Sequence, residues 1–375
     1  MGVIKYSKYT ALGNNFVIVD ELDQTKVDED EKPSFARYYS DVNFGVGADD
    51  ILFVQKACPE MYEEIQHYRR IQNRRPWDDE TLSDLKRLEE VDAIMRIFEP
   101  DGSEASMCGN GIRCVAAYLD EKLRKKRVNI LAEVSTMRPR RKRVERSIRR
   151  GYYRVNMGPL SAPPTQFVDE MLLATMVSED NHILRLDEHE LELDGSGFNI
   201  QALITYTGEP HMILFCGDTK PTFFNYGEET STNSFARLTN NFFMLEEREQ
   251  RKILTGVGDW FNSGRDPVFP EGINVNFAQV EPTKEMIKYR VFERGLNRES
   301  LACGTGATAV AAVAYHLGLV KSKTIRIEPV SGCSRQSELQ NVTPDNLIVE
   351  FIEGEWYLEG PTQKVYSAGL EGRIW

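Results

Sequence analysis

The sequence predicts a two-domain α/β protein built by internal duplication, and three observations carry that expectation. The chain has 375 residues, beyond the size at which a single hydrophobic core usually keeps growing. A cysteine followed by a Gly-x-Gly helix start occurs twice, at Cys108 and at Cys303. A second pair of motifs repeats the spacing between those cysteines, and two homologous halves facing each other are the simplest account.

The elements follow in order. Tyr9-Thr10-Ala11-Leu12-Gly13-Asn14-Asn15-Phe16 precedes the apolar run Val17–Val19, and Asp50–Val54 reads as a strand. Residues 59–92 carry many charges, and Pro59 and Pro76 are placed as helix starts, which predicts two exposed helices inserted there. Met95–Glu99 is strand-like, and Cys108 follows in Met107-Cys108-Gly109-Asn110-Gly111. The small and apolar run after it suits a buried helix. In the second half, Tyr206-Thr207-Gly208-Glu209-Pro210-His211 precedes Met212–Phe215, and Tyr289–Glu293 is the next strand-like run. Cys303 lies in Ala302-Cys303-Gly304-Thr305-Gly306, again followed by a small-residue and apolar pattern. Cys303 follows Cys108 by 195 residues, and Gly208 follows Gly13 by the same 195. Residues 219–265 hold Pro, Asn, Gly and Ser with a helical middle at Leu238–Leu254. Both this segment and 59–92 read as excursions from the core.

Composition narrows the function classes. Hydrophobic residues make up 41% and charged residues 28%, which is globular rather than disordered or fibrous. No apolar run of about 18 residues predicts a membrane span. Met1–Tyr6 lacks the apolar core of a signal peptide and reads as a first strand. Six cysteines (Cys58, Cys108, Cys114, Cys216, Cys303, Cys333) form no CxxC pair, so reduced thiols in a cytoplasm are expected. A net charge of −12 argues against a dedicated nucleic-acid binder. Lys122–Arg150 dissents, with thirteen Lys/Arg against two Glu. A solvated hairpin face or a subunit contact accounts for it; a phosphate-binding role is the sharper reading, without an interleaved aromatic platform to support it.

The chemistry rests on the paired cysteines. A thiol reacts as its thiolate, and a helix N-terminus lowers its pKa. Glycines around Asn110 and Thr305 let backbone N–H groups turn toward a small anion such as an amino-acid carboxylate. The α-hydrogen of an amino acid is very weakly acidic, so its removal needs preorganised donors on the developing charge. Inversion then needs a base on one face and an acid on the other, and a thiolate and a thiol supply both. A Cys-Gly-x-Gly turn alone is more simply a packing turn, and a lone GxG is weak support for a dinucleotide site. A Cys–His hydrolase needs one nucleophile and leaves the second unexplained. The remaining four cysteines lack the glycine context and read as structural.

These motifs resemble the diaminopimelate epimerase family. The matching segments are Leu12–Phe16, Phe44-Gly45-Val46-Gly47-Ala48-Asp49, Met95–Phe98 with Asp101–Glu104, Met107–Arg113, and Val155-Asn156-Met157-Gly158. They continue with Gly208–His211, Phe269-Pro270, Asn274-Val275-Asn276-Phe277, Glu293-Arg294 and Leu301–Ala307. The resemblance implies an α+β fold of two pseudo-twofold-related domains, each a curled, mostly antiparallel sheet around a central helix, with the active site in the interdomain cleft. The expected halves are 1–153 plus 362–375, carrying Cys108 and an insertion at 57–92, and 154–361, carrying Cys303 and an insertion at 219–265. It also implies pyridoxal-free chemistry with no cofactor or metal, Cys108 and Cys303 as the acid–base pair, and His211 and Glu293 flanking them. Gly109, Asn110, Gly304 and Thr305 would bind the α-carboxylate, and Asn14, Asn274 and Arg294 would contact the rest of the substrate. A homodimer is expected by the same resemblance.

Departures gather at the distal end of that expected pocket. Asp50, Glu99 and Glu209 stand where the family has neutral residues. Three carboxylates there would repel a distal carboxylate and favour a cationic side chain such as lysine, ornithine, arginine or histidine. Arg294, retained, would be neutralised by Glu99 or Glu209. The expected activity is therefore racemisation of a basic amino acid, with true diaminopimelate epimerisation as the alternative. A catalytically idle binding protein and a Cys–His hydrolase are the readings from other classes.

Overall fold

Strand-forming runs such as Phe16-Val17-Ile18-Val19 and Ile51-Leu52-Phe53-Val54 are fully buried, as befits strands covered on both faces. The computed structural model describes residues 3–74, 77, 90–106, 108–134, 138–173, 176–178, 182–217, 239–281, 283, 285–340 and 345–370. The chain divides into one unit of residues 1–156 with 359–375 and another of residues 157–358.

In the first unit, β1 (Ile4–Ala11) and β2 (Asn14–Glu21) form an antiparallel hairpin. Leu12 and Gly13 both take positive φ, the two-residue turn whose twist matches its strands. Helix α1 (Lys32–Ser40) leads to β3 (Asp50–Gln55), parallel to β2. Helix α2 (Pro59–Ile71) precedes β4 (Ala93–Phe98), which runs antiparallel to β3, and the short β5 (Glu104–Ala105) folds back on β4. Helix α3 (Gly109–Leu123) then crosses to β6 (Arg127–Val134), parallel to β4, followed by the antiparallel strands β7 (Arg138–Arg146) and β8 (Tyr152–Gly158).

The second unit starts with helix α4 (Glu170–Leu173), β9 (Met176–Ser178) and β10 (Ile183–Leu193). Strand β11 (Ser196–Tyr206) is antiparallel to both β10 and β12 (Pro210–Phe215). Helix α5 (Glu247–Asn262) precedes β13 (Asn274–Glu281), which is parallel to β12; β14 (Met286–Glu293) is antiparallel to β13, and β15 (Arg298–Ser300) folds back on β14. Helix α6 (Gly304–His316) crosses to β16 (Thr324–Pro329), parallel to β14. Helix α7 (Val330–Gln340), β17 (Leu347–Ile352), antiparallel to β16, and β18 (Glu355–Pro361) complete it. The last strand, β19 (Gln363–Leu370), returns to pair with β1.

The succession from β1 to β7 and from β11 to β17 is the same, pairing by pairing: antiparallel, parallel, antiparallel, a short fold-back, a helix, a parallel crossover, antiparallel. The internal repeat read from two motifs thus extends over the sheet of each unit. Helix α3 packs against β1, β2, β3, β6 and β7, and α6 against β11, β12, β13, β14, β16 and β17. Each is the central helix of its own curled sheet, and residues 304–314 of α6 are all buried. Only Gly, Ala, Thr and Val in that run let strands approach a helix from all sides.

Two expectations are corrected. The segment after β3 does begin a helix at Pro59, but α2 is no exposed excursion: Met61, Tyr62 and Ile65 pack with Trp77, Ile94 and Leu131. Its charges mislead because Arg69 is fully buried and paired with buried Glu133 at 2.5 Å. The second helix expected there falls outside the described residues. The helix of the other insertion spans Glu247–Asn262 rather than Leu238–Leu254, with Glu247 and Glu249 in its first turn, where acidic residues oppose the helix dipole favourably. Its Leu254, Val257 and Phe261 join the main core of the second unit. The basic stretch is a β6–β7 hairpin with Arg141 and Arg143 exposed.

Candidate active site

Both cysteines occupy the same local position. Cys108 precedes α3 and Cys303 precedes α6, each in extended backbone (φ −102° and −114°). A residue there ends a strand-like approach while its carbonyl accepts the first helical hydrogen bond, as Cys108 does from Ile112 N–H and Cys303 from Ala307 N–H, both at 2.9 Å. The thiol therefore sits beside the first-turn amides, which point away from the helix interior ladder, at the positive end of the helix.

Around Cys108, Asn110 is buried and clamped. Its Nδ2 donates to Asn14 Oδ1 at 2.6 Å, and its Oδ1 accepts from Arg113 Nη2 at 2.7 Å. Asn14 is delivered by the β1–β2 turn, so the hairpin motif and the cysteine motif meet within one unit. Asn15 donates to the turn through Nδ2 to Gly13 O at 3.0 Å, a bond an aspartate could not supply. Asp50 opens β3 beside Phe16. Glu99 closes the β4–β5 turn and accepts from Ser103 Oγ at 3.1 Å.

The Cys303 site is more fully elaborated. Gly306 N–H donates to Cys303 Sγ at 3.4 Å, and Thr305 Oγ1 lies 3.2 Å from the same sulfur. Thr305 Oγ1 is 3.0 Å from His211 Nε2, and Thr207 Oγ1 donates to Thr305 O. His211 is wholly buried, and burial, aided by the Arg294 charge, pushes its pKa down to about 3. The imidazole is neutral at physiological pH. Glu293 ends β14 and accepts a turn hydrogen bond from Asn297 N–H at its carbonyl.

Arg294 Nη2 donates to Glu209 Oε2 at 2.7 Å. Arg294 N–H also donates to Asn274 Oδ1 at 2.8 Å, Asn274 Nδ2 donates to Pro210 O, and the guanidinium lies over the Phe167 ring. His211, Thr305 and Cys303 are thus joined, as are Glu209, Asn274 and Arg294. Burial pushes the Cys114 thiol up, and the Cys333 thiol up to about 12, which suits the structural roles expected of them.

Three residues here escaped sequence reasoning. Tyr289 OH accepts from Cys303 N–H at 2.9 Å and donates to Cys303 O at 2.8 Å, fixing that peptide from both sides. Thr207 anchors Thr305, and Asn276 meets His211 Nδ1. Asn276 had a signal: Asn274-Val275-Asn276 puts two amides on one face of a strand. Tyr289 had none, because a buried tyrosine in a strand is ordinary. Among the described residues, no cluster of three or more His, Cys, Asp or Glu could hold a metal ion, and no helix is long and apolar enough to cross a membrane.

The family model for diaminopimelate epimerase matches residues 79–161 and 238–357. A diaminopimelate epimerase of Archaeoglobus fulgidus is 31% identical over 98% of this chain and 96% of its own. One from Methanothrix thermoacetophila is 28% identical, covering 100% and 98%. Among solved structures, a hydroxyproline epimerase from Agrobacterium vitis aligns with a TM-score of 0.55 at 12% identity, over 98% of this chain and 91% of that one. A predicted epimerase from Pseudomonas aeruginosa gives 0.53 at 15%, over 99% and 100%. At such identities these structures speak for the fold.

Proposed function

The chain belongs to the diaminopimelate epimerase family, isomerases acting on amino acids, and from that premise we propose a two-thiol racemase whose substrate carries a cationic side chain. Cys108 and Cys303 are its acid and base. One thiolate removes the α-hydrogen as a proton, its electron pair passes into the carboxylate-stabilised carbanion, and the opposite thiol returns a proton to the other face. The amides of Gly109, Asn110, Gly304 and Thr305 hold the carboxylate where that charge develops. The observation that supports this reading is the shared position of both cysteines at the free N–H end of a Gly-x-Gly helix, in the same succession of strands. In this mechanism the amide donors take the place of a pyridoxal electron sink.

The Glu209–Arg294 pair supports the substrate class. With its guanidinium already on a carboxylate, Arg294 is a poorer receiver of a distal substrate carboxylate. The second reading, epimerisation of diaminopimelate itself, is favoured by the relatives of that name that match nearly the whole chain. Exchange of the α-proton in D2O, followed by NMR with meso-diaminopimelate, lysine, ornithine, arginine and histidine, separates them. Turnover of a basic amino acid is expected; turnover of diaminopimelate alone overturns the cationic-substrate reading.

A further inference from the structure

We infer that Asn276 is a positioning residue that fixes the tautomer of His211 and thereby, through Thr305, holds Cys303 as a hydrogen-bonded thiolate. The amide of Asn276 is oriented by the backbone: its Nδ2 donates to Met212 O at 2.9 Å. The same Nδ2 lies 3.2 Å from His211 Nδ1. An amide nitrogen only donates, so Nδ1 must be the acceptor and the proton of the neutral ring lies on Nε2. That N–H faces Thr305 Oγ1 at 3.0 Å. A hydroxyl receiving this donor has its own hydrogen free for the next partner, and Cys303 Sγ is 3.2 Å away. Donation therefore runs in one direction, Asn276 to His211 to Thr305 to the sulfur, where Gly306 N–H adds a second donor. Two hydrogen bonds to the charged form favour the thiolate.

Packing agrees. A Cβ added to Gly306 would stand 2.6 Å from Asn276 Oδ1 and 3.3 Å from His211 Cε1, so the glycine admits the relay against the helix start. The neutrality of the buried imidazole is required, since an imidazolium would need Nδ1 as a donor against the amide hydrogens. Tyr289 from β14 is held on the Cys303 peptide, and the Arg294 charge disfavours the cationic ring of His211. At the start of α3, Asn110 stands in the place of Thr305 and bonds to Asn14.

The inference rests on reading Cys303 as an acid–base thiol, so its test is made without substrate. Alkylation of Cys303 by iodoacetamide is followed against pH by peptide mass spectrometry, with Cys108 on the same chain as the internal control. Asn276→Asp presents a carboxylate to Nδ1 and reverses the tautomer, and Thr305→Val removes the hydroxyl at constant shape. In each, the midpoint for Cys303 is expected to rise by about one pH unit, roughly a tenfold loss of thiolate near its pKa, with Cys108 unmoved. Thr305→Ser is expected to restore the original midpoint. Nitrogen-15 shifts of His211 should report an Nε2–H ring in the parent enzyme and an Nδ1–H ring in Asn276→Asp. A Cys303 midpoint unmoved in Thr305→Val, or an Nδ1–H ring in the parent, overturns the relay. Loss of racemisation with an intact Cys303 profile would count against the activity and leave the relay standing.

Discussion

Serine in place of either cysteine keeps the shape of the helix start but replaces a thiol with a far weaker acid. Cys108→Ser and Cys303→Ser are each expected to lower kcat by about 10²–10⁴-fold, the usual worth of a positioned acid or base, measured by polarimetry on the best substrate. A loss at only one of them would indicate single-nucleophile chemistry instead. Glu209→Asn removes the carboxylate at that position and releases Arg294. That variant is expected to raise kcat/KM for meso-diaminopimelate by about tenfold or more, since a hydrogen bond to a charged group is worth about 1.5–3 kcal/mol. No gain would dissociate the Glu209–Arg294 pair from substrate choice.

Among the secondary elements, α2 shows how a charged insertion can become interior. Its Arg69 pairs with Glu133, and Arg96 and Arg74 converge on Glu104 just before the Cys108 helix. Glu29 links the far side of Arg96 to Lys32. Arg69→Met leaves the buried Glu133 without its main partner and is expected to cost about 3–5 kcal/mol, read from the urea midpoint. Helix α5 offers a steric counterpart. A Cβ on Gly258 would meet the Phe292 ring at 2.2 Å, and Phe292 is buried in β14. Gly258→Ala is therefore expected to destabilise by about 1–3 kcal/mol through overpacking, despite the better helix propensity of alanine.

For the whole molecule, buried titratable groups set the response to acid. The unfolded chain protonates His211 near 6.5 and the folded chain only near 3, so the unfolded state binds more protons in that interval and stability falls as pH drops through it. Burial alone would raise Glu29, but Arg96 and Lys32 hold it down from 4.5 to about 2. Its contribution is lost in the same direction, at lower pH. Denaturation midpoints are expected to fall as pH drops below about 7, by about 3 kcal/mol at pH 4 from His211 alone. His211→Gln should flatten the part of that fall between pH 6.5 and 4.5; an unchanged slope would contradict the buried neutral ring.

The duplication, the two cysteine helix starts and the strand-like runs at Asp50–Val54, Met95–Glu99 and Tyr289–Glu293 were legible in the sequence because each rests on local pattern: a glycine spacing, an apolar period, a turn residue. The shared offset of 195 residues carried the repeat without any contact being known. Charge misled at 59–71, since a buried arginine and a solvated one have the same letter and only a distant Glu133 distinguishes them. The relay to Cys303 was equally hidden. His211 lies 65 residues from Asn276 and 94 from Thr305, and only the pairing of β12 with β13 around α6 brings them within hydrogen-bond reach. Local sequence determined which groups could do chemistry; the tertiary pairing decided their tautomer, their partners and which carboxylate answers Arg294, because hydrogen bonds depend on ångström distances that spacing along a chain does not encode.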